Sequence, residues 1–109
     1  MNFDMEKVLA DMLSAMKGTV GSKWNEVQST ANLFLQNKKD RLQQLADMRI
    51  DNELSDDDFK SRLADEQLIA EAELNALAVL SKATVQQAAN AAMDVLLKAV
   101  KLTVYSCKL

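Results

Sequence analysis

The amino-acid sequence predicts an all-α protein, built as an antiparallel hairpin of two long helices. Its 109 residues are dominated by strong helix formers, and they include only two glycines and no proline. Apolar residues recur at helical spacing along both halves of the chain. Between the halves, residues 51–55 combine a helix stop with a helix start. Because two such elements fill the whole length, residues 1–109 are expected to form one domain.

The first helix is predicted over residues 3–50 by one apolar stripe, whose mean spacing is close to 3.6 residues. Lys38 interrupts this stripe, and we expect its aliphatic stem to lie along the apolar face with the ammonium group outside. Gly18 and Gly21 allow a break into two shorter helices. The stripe keeps its phase across them, however, which favours a single helix bent at residues 18–21. The stripe consists of Met5, Leu9, Met12, Met16, Val20, Trp24, Val27, Ala31, Phe34, Leu42, Leu45 and Met48.

The turn at residues 51–55 has the residue types of a helix end followed by a helix cap. Asn52 tolerates the left-handed conformation that is common just after a helix. Ser55 can accept a hydrogen bond from a free backbone amide of the next helix, and Leu54 and Phe59 have the spacing of a hydrophobic staple. Three aspartates follow the cap, where the helix dipole favours negative charge.

The second helix is predicted over residues 56–104, with nearly the same length as the first, so the two pair naturally in antiparallel fashion. Between Ala70 and Val95 the apolar steps alternate between three and four residues, as in a coiled coil. Small residues in the middle of this seam predict a close approach of the two helices. The seam consists of Phe59, Leu63, Gln67, Ala70, Leu74, Leu77, Ser81, Thr84, Ala88, Ala91, Val95, Ala99 and Leu102.

A second apolar stripe on this helix has no partner within a two-helix hairpin. Exposed apolar surface of this extent usually marks an interaction site. Two hairpins that pair into a four-helix bundle with twofold symmetry would bury it. The predicted interface residues are Ile69, Ala76, Leu80, Ala83, Leu96 and Val100.

The residue types present argue against catalysis, a cofactor or a metal site. There is no histidine, which removes the commonest general base and most zinc-ligand patterns. Two glycines cannot form a phosphate-binding loop. The three aspartates of residues 56–58 lack the ligand spacing of a calcium loop. Glu66, Glu71 and Glu73 do not share one face, and we expect them to be solvated.

Basic residues lie in two places. Lys38, Lys39 and Arg41 surround Asp40 and have no aromatic neighbours, so they indicate a solvated helix face rather than nucleic-acid binding. Three lysines, at positions 98, 101 and 108, flank the apolar residues 95–104. This second arrangement allows binding in the plane of an anionic membrane.

The single cysteine, Cys107, excludes an internal disulfide and fits a reducing compartment, which we take to be the cytoplasm. Residues 107–109, Cys-Lys-Leu, also resemble a peroxisomal C-terminal tripeptide in which serine is replaced.

The sequence therefore predicts a non-catalytic helical module with a structural, scaffolding or adaptor role. Its expected partner is a second copy of itself, or else a helix of another protein. The alternative is a peripheral lipid-binding protein, in which the hairpin opens and lays the face of residues 83–104 on a bilayer.

Overall fold

The structure is a computed structural model that describes residues 3–108, with side chains described for residues 3–106. This part of the chain is all-α and contains no strand, as the sequence predicts. A short 3₁₀ turn, Gly21–Lys23, separates the first two helices. The four α-helices are α1 (Met5–Val20), α2 (Trp24–Ile50), α3 (Asp56–Asn75) and α4 (Lys82–Lys108).

The helices form a bundle in which each runs antiparallel to the next. In this arrangement α1 packs on both α2 and α4, and α3 packs on the same two helices. Lys39 in the middle of α2 forms an ion pair with Glu6 at the start of α1. Lys38 pairs with Glu66 of α3, which sets α3 beside the same part of α2. One chain therefore builds a four-helix bundle by itself.

The predicted hairpin of two long helices needs correction. Helices of almost 50 residues would each be ~70 Å long. The molecule measures only 44 × 22 × 21 Å, with a Cα radius of gyration of 13.9 Å. Both predicted helices, over residues 3–50 and 56–104, are interrupted and folded back.

The first interruption lies at Gly21. This residue has a φ of +70° and a ψ of −127°, and its backbone N–H donates a hydrogen bond to the carbonyl of Lys17. An L-residue with a side chain rarely adopts this φ, whereas glycine does so at little steric cost. The chain reverses direction here, so α2 runs back antiparallel to α1 instead of extending it. The apolar stripe keeps its phase through the break because both helices turn the same stripe toward one core.

The second interruption lies at residues 76–81, between α3 and α4. Ala78 has a φ of +55°, which is unusual for a residue with a side chain. The hydroxyl Oγ of Ser81 accepts a hydrogen bond from the backbone N–H of Thr84 at 3.1 Å, and it caps α4. Ser81 is thus the N-cap of α4 and Thr84 lies in its first turn, so these two residues do not continue a helical seam from α3.

The turn between α2 and α3 lies at residues 51–55. Asn52 adopts the left-handed conformation, with a φ of +66°. Ser55 Oγ accepts a hydrogen bond from the N–H of Asp58 at 3.1 Å. Leu54 and Phe59, on either side of this cap, are both buried.

The core face of α4 overlaps the predicted seam at Ala88 but is rotated away from it along the rest of the helix. Leu102, which the seam includes, is 64% exposed, whereas Leu96 and Val100 of the second stripe are fully buried. The break at residues 76–81 changes the phase of the helix, and α1 folds onto the face that a dimer was expected to cover. The buried residues of α4 are Val85, Ala88, Ala89, Ala92, Met93, Leu96, Val100 and Thr103.

The two glycines provide a matched test of the reversal. A Cβ added at either Gly18 or Gly21 meets no atom within 4 Å, so space does not distinguish them. Gly18 lies inside α1, and Gly18→Ala should raise the free energy of unfolding by about 0.5–1 kcal/mol. Gly21→Ala should lower the free energy of unfolding by about 1–2 kcal/mol, because the Cβ of alanine is sterically strained at a positive φ. Urea denaturation measures both, and equal stabilities of the two variants would contradict the reversal at Gly21.

Candidate interaction surfaces

A buried ion cluster joins α2 to α3. The side chain of Glu66 is 8% exposed, with Oε2 at 3.2 Å from Lys38 Nζ and Oε1 at 3.6 Å from Arg41 Nε. The expectation that Glu66 is solvated is therefore wrong. The head group of Lys38 turns to this carboxylate, and its side chain is only 27% exposed.

The cluster is a structural device of α2 and α3. Glu66 Oε2 lacks a hydrogen bond of good geometry within the described residues, although Lys38 lies close to it. Because one oxygen of this buried carboxylate lacks a hydrogen bond, its ion pairs add little net stability to the fold. It does disfavour any sliding of α3 along α2, because a shift by one turn would leave the carboxylate buried without a cation.

The largest apolar groups exposed by α3 lie on its C-terminal half. Leu68 is 64% exposed and Ile69 is 41% exposed. Ala72 and Ala76 are also exposed, and they follow Leu68 at intervals of four residues, on one side of the helix. We call Leu68, Ile69, Ala72 and Ala76 the α3 outer surface.

Acidic side chains border the α3 outer surface. Asp65 and Glu73 are exposed, and within residues 3–106 no lysine or arginine nitrogen lies within 4.0 Å of either carboxylate. The surrounding segment, residues 52–75, carries eight acidic residues against two basic residues. The α3 outer surface is therefore an apolar patch in a negative field.

A second exposed surface lies near the end of α4 and has the opposite charge. Leu102 is 64% exposed and Tyr105 is 58% exposed. Lys98 and Lys101 are exposed beside them, and Lys98 Nζ lies 2.9 Å from Asp94 Oδ2 one turn earlier. We call Lys98, Lys101, Leu102 and Tyr105 the α4 terminal surface.

A cleft of about 270 Å³ lies between the start of α3 and the end of α4. Its floor is apolar, whereas its mouth carries charges of both signs. A hydrogen bond from Lys60 lowers the pKa of the exposed Asp56 carboxyl group. Arg49 reaches the Leu54 carbonyl with Nη1 at 3.4 Å. Residues that line the cleft include Arg49, Asp56, Phe59, Leu97, Lys101 and Tyr105.

The six residues predicted as an interface do not form one surface. Ile69 and Ala76 belong to the α3 outer surface, Ala83 is exposed at the start of α4, and Leu80 is half-buried in the connection. Leu96 and Val100 lie in the core of the chain, where no partner reaches them. The second apolar stripe of the sequence is therefore a core face at Leu96 and Val100 in α4, whereas its earlier members, Ile69, Ala76 and Ala83, are exposed.

Three large exposed side chains of these surfaces were missing from the predicted interface. Leu68 lies next to Ile69 but outside the second stripe, Leu102 was placed in the seam between the two helices, and Tyr105 lies beyond the predicted end of the helix. For Leu68, the four-residue spacing to Ala72 and Ala76 in the sequence indicates one apolar side of a helix. The sequence alone does not show that this side is exposed, because the chain breaks at Gly21 and residues 76–81 determine which of the other apolar faces are buried.

Other kinds of site find little support in the described residues. Among these, no three histidine, cysteine, aspartate or glutamate side chains are placed to hold a metal ion. None of the described helices combines the length and apolar character needed to cross a membrane. The proposed C-terminal tripeptide falls outside this set, because Leu109 and the side chains of Cys107 and Lys108 are not described.

Comparisons of the chain with protein-family models, with curated proteins and with solved structures give no match.

A double-mutant cycle tests the buried ion cluster. Lys38→Leu should lower the free energy of unfolding by about 1–2 kcal/mol, because it leaves Glu66 with the more distant Arg41. Glu66→Leu should cost about 1 kcal/mol or less, since both cations can turn toward water. The double variant should lie within about 1 kcal/mol of the wild type, which gives a coupling of about 1 kcal/mol. Additive losses in urea denaturation would show that the two side chains do not interact.

Proposed function

We propose that this chain is a non-catalytic, self-associating helical module with a structural or adaptor role in a reducing compartment such as the cytoplasm. The observation that carries the proposal is the α3 outer surface, where Leu68 and Ile69 are exposed in acidic surroundings. Large apolar side chains that cluster on a surface favour contact with another macromolecule.

The proposed mode of association differs from the pairing of two hairpins into a four-helix bundle that the sequence suggested. The apolar stripe with Leu96 and Val100 is buried inside the chain itself, where α1, α2 and α3 all pack on α4. Folding of one copy therefore needs no partner to complete its core. Association then joins bundles that are already folded, through their outer surfaces.

The sequence supports a role without catalysis. It contains no histidine, and its two glycines lie in α1 and at the reversal rather than in a loop that cradles phosphate. The charged groups that line the cleft are the two cations Arg49 and Lys101 and the carboxylate of Asp56, which is paired with Lys60 rather than placed as a free general base.

Binding to an anionic membrane surface is the second candidate, and the α4 terminal surface favours it. Leu102 and Tyr105 are exposed beside Lys98 and Lys101, which suits the boundary between acyl chains and head groups. The folded bundle would dock with this surface. Opening the bundle would instead expose Leu96 and Val100 at a cost of roughly 1.5–3 kcal/mol for each side chain.

Two exposed leucines provide a matched test of self-association. Leu68 is 64% exposed on α3, and Leu33 is 60% exposed on α2. In sedimentation equilibrium from about 10 μM to 1 mM, the mass of the wild type should rise above the monomer value of 12.1 kDa. Leu33→Glu should behave like the wild type, whereas Leu68→Glu should stay monomeric, because it puts a charge into the contact.

A wild type that stays monomeric over the whole series would contradict the proposal. So would equal behaviour of Leu68→Glu and Leu33→Glu. Flotation with phosphatidylserine vesicles separates the second candidate. Recovery of wild type but not of Leu102→Glu in the floating fraction, together with a monomeric protein in solution, would favour the membrane.

A further inference from the structure

We propose that the α3 outer surface of one copy is covered by the α4 terminal surface of a second copy, in a head-to-tail contact. This inference rests on the proposed self-association and names the two surfaces that carry it. It assigns the exposed apolar groups of both surfaces to one interface.

The charges of the two surfaces are complementary. Asp65 and Glu73 border the first surface, and Lys98 and Lys101 belong to the second. The difference extends to the surroundings, because residues 52–75 carry eight acids and two bases while residues 76–109 carry one acid and four lysines. Complementary fields of this kind steer two surfaces together and disfavour wrong pairings.

The apolar groups match in size and placement. The first surface presents Leu68 and Ile69, and the second presents Leu102 and Tyr105, which lie three residues apart on the same side of α4. Tyrosine is enriched in protein contacts, and charged groups belong to their polar rim. The small side chains of Ala72 and Ala76 leave room for a second helix to approach α3 closely.

Symmetric pairings of either surface with itself are disfavoured. Two α3 outer surfaces face to face would bring together Asp65 and Glu73 from both copies. Two α4 terminal surfaces would bring together Lys98 and Lys101 in the same way. Like charges held close at an interface oppose association, so the head-to-tail pairing is the arrangement without this repulsion.

The two surfaces lie toward opposite ends of the bundle. The α3 outer surface is near the α3–α4 connection, whereas the end of α4 lies beside Arg49 and Asp56 at the turn between α2 and α3. A pair formed in this way leaves one unused surface on each copy. Head-to-tail contact therefore adds further copies as the concentration rises, instead of stopping at two.

The contact is weak and depends on salt. A stable interface uses about 20–30 residues from each side, and each surface here offers only two large apolar side chains. Exposed charges supply much of the attraction, and they are screened at high ionic strength. Raising the salt concentration to about 1 M should lower the association constant several-fold.

Two blocked variants test the pairing when they are mixed. Leu68→Glu with Ile69→Glu blocks the α3 outer surface and leaves the α4 terminal surface intact. Leu102→Glu with Tyr105→Glu does the opposite. Each variant alone should remain monomeric in sedimentation equilibrium. An equimolar mixture should form a one-to-one dimer that grows no further, since the remaining surfaces are both blocked.

All four replaced side chains are exposed, so both variants should keep the circular dichroism spectrum of the wild type. If either double variant unfolds, Leu68→Ser and Leu102→Ser take its place in the same mixing experiment. Leu33→Glu is the control, and it should assemble like the wild type.

Other outcomes overturn the inference in distinguishable ways. Dimers of the variant blocked on α4 would indicate symmetric contact through α3. Association of the variant blocked on α3 would indicate contact through α4 alone. A wild type that assembles while the mixture stays monomeric would refute the head-to-tail pairing but leave self-association standing. A monomeric wild type would refute the proposed function itself.

Discussion

The reversal of the chain at Gly21 is the constraint on which the rest of the molecule depends. The positive φ of Gly21 ends α1 and reverses the chain, so that α2 runs antiparallel to α1 and Lys39 forms an ion pair with Glu6. From this position α1 also packs on α4 and covers its apolar face. The core is thus closed within a single chain, and most of the large apolar side chains that stay exposed lie on the outward sides of α3 and α4.

The sequence was sufficient to predict the helical class, the turn chemistry at Ser55 and the apolar stripe of the first half. It did not predict the number of helices, for a physical reason. A stripe shows which side of a helix faces the core, but it keeps the same appearance whether the chain continues or folds back. At Ala78 the chain adopts a positive φ without glycine, asparagine or proline to signal it.

The candidate surfaces were predictable only in part for the same reason. Ile69 and Ala76 were identified as exposed apolar residues, but Leu96 and Val100 of the same stripe were assigned to a partner that α1 replaces. Glu66 lies at a core position because Lys38 and Arg41 reach it from α2. Such long-range pairing leaves no local pattern in the sequence, whereas the charge difference between α3 and the end of α4 was visible from the start.

Small-angle X-ray scattering, extrapolated to zero protein concentration, tests the closed single-chain bundle most directly. The bundle predicts a radius of gyration close to the 13.9 Å of its Cα atoms. A hairpin of two uninterrupted helices, each ~70 Å long, would give roughly 20 Å. A value near the smaller figure is the result that we expect, and a value near the larger one would show that the chain does not fold back at Gly21.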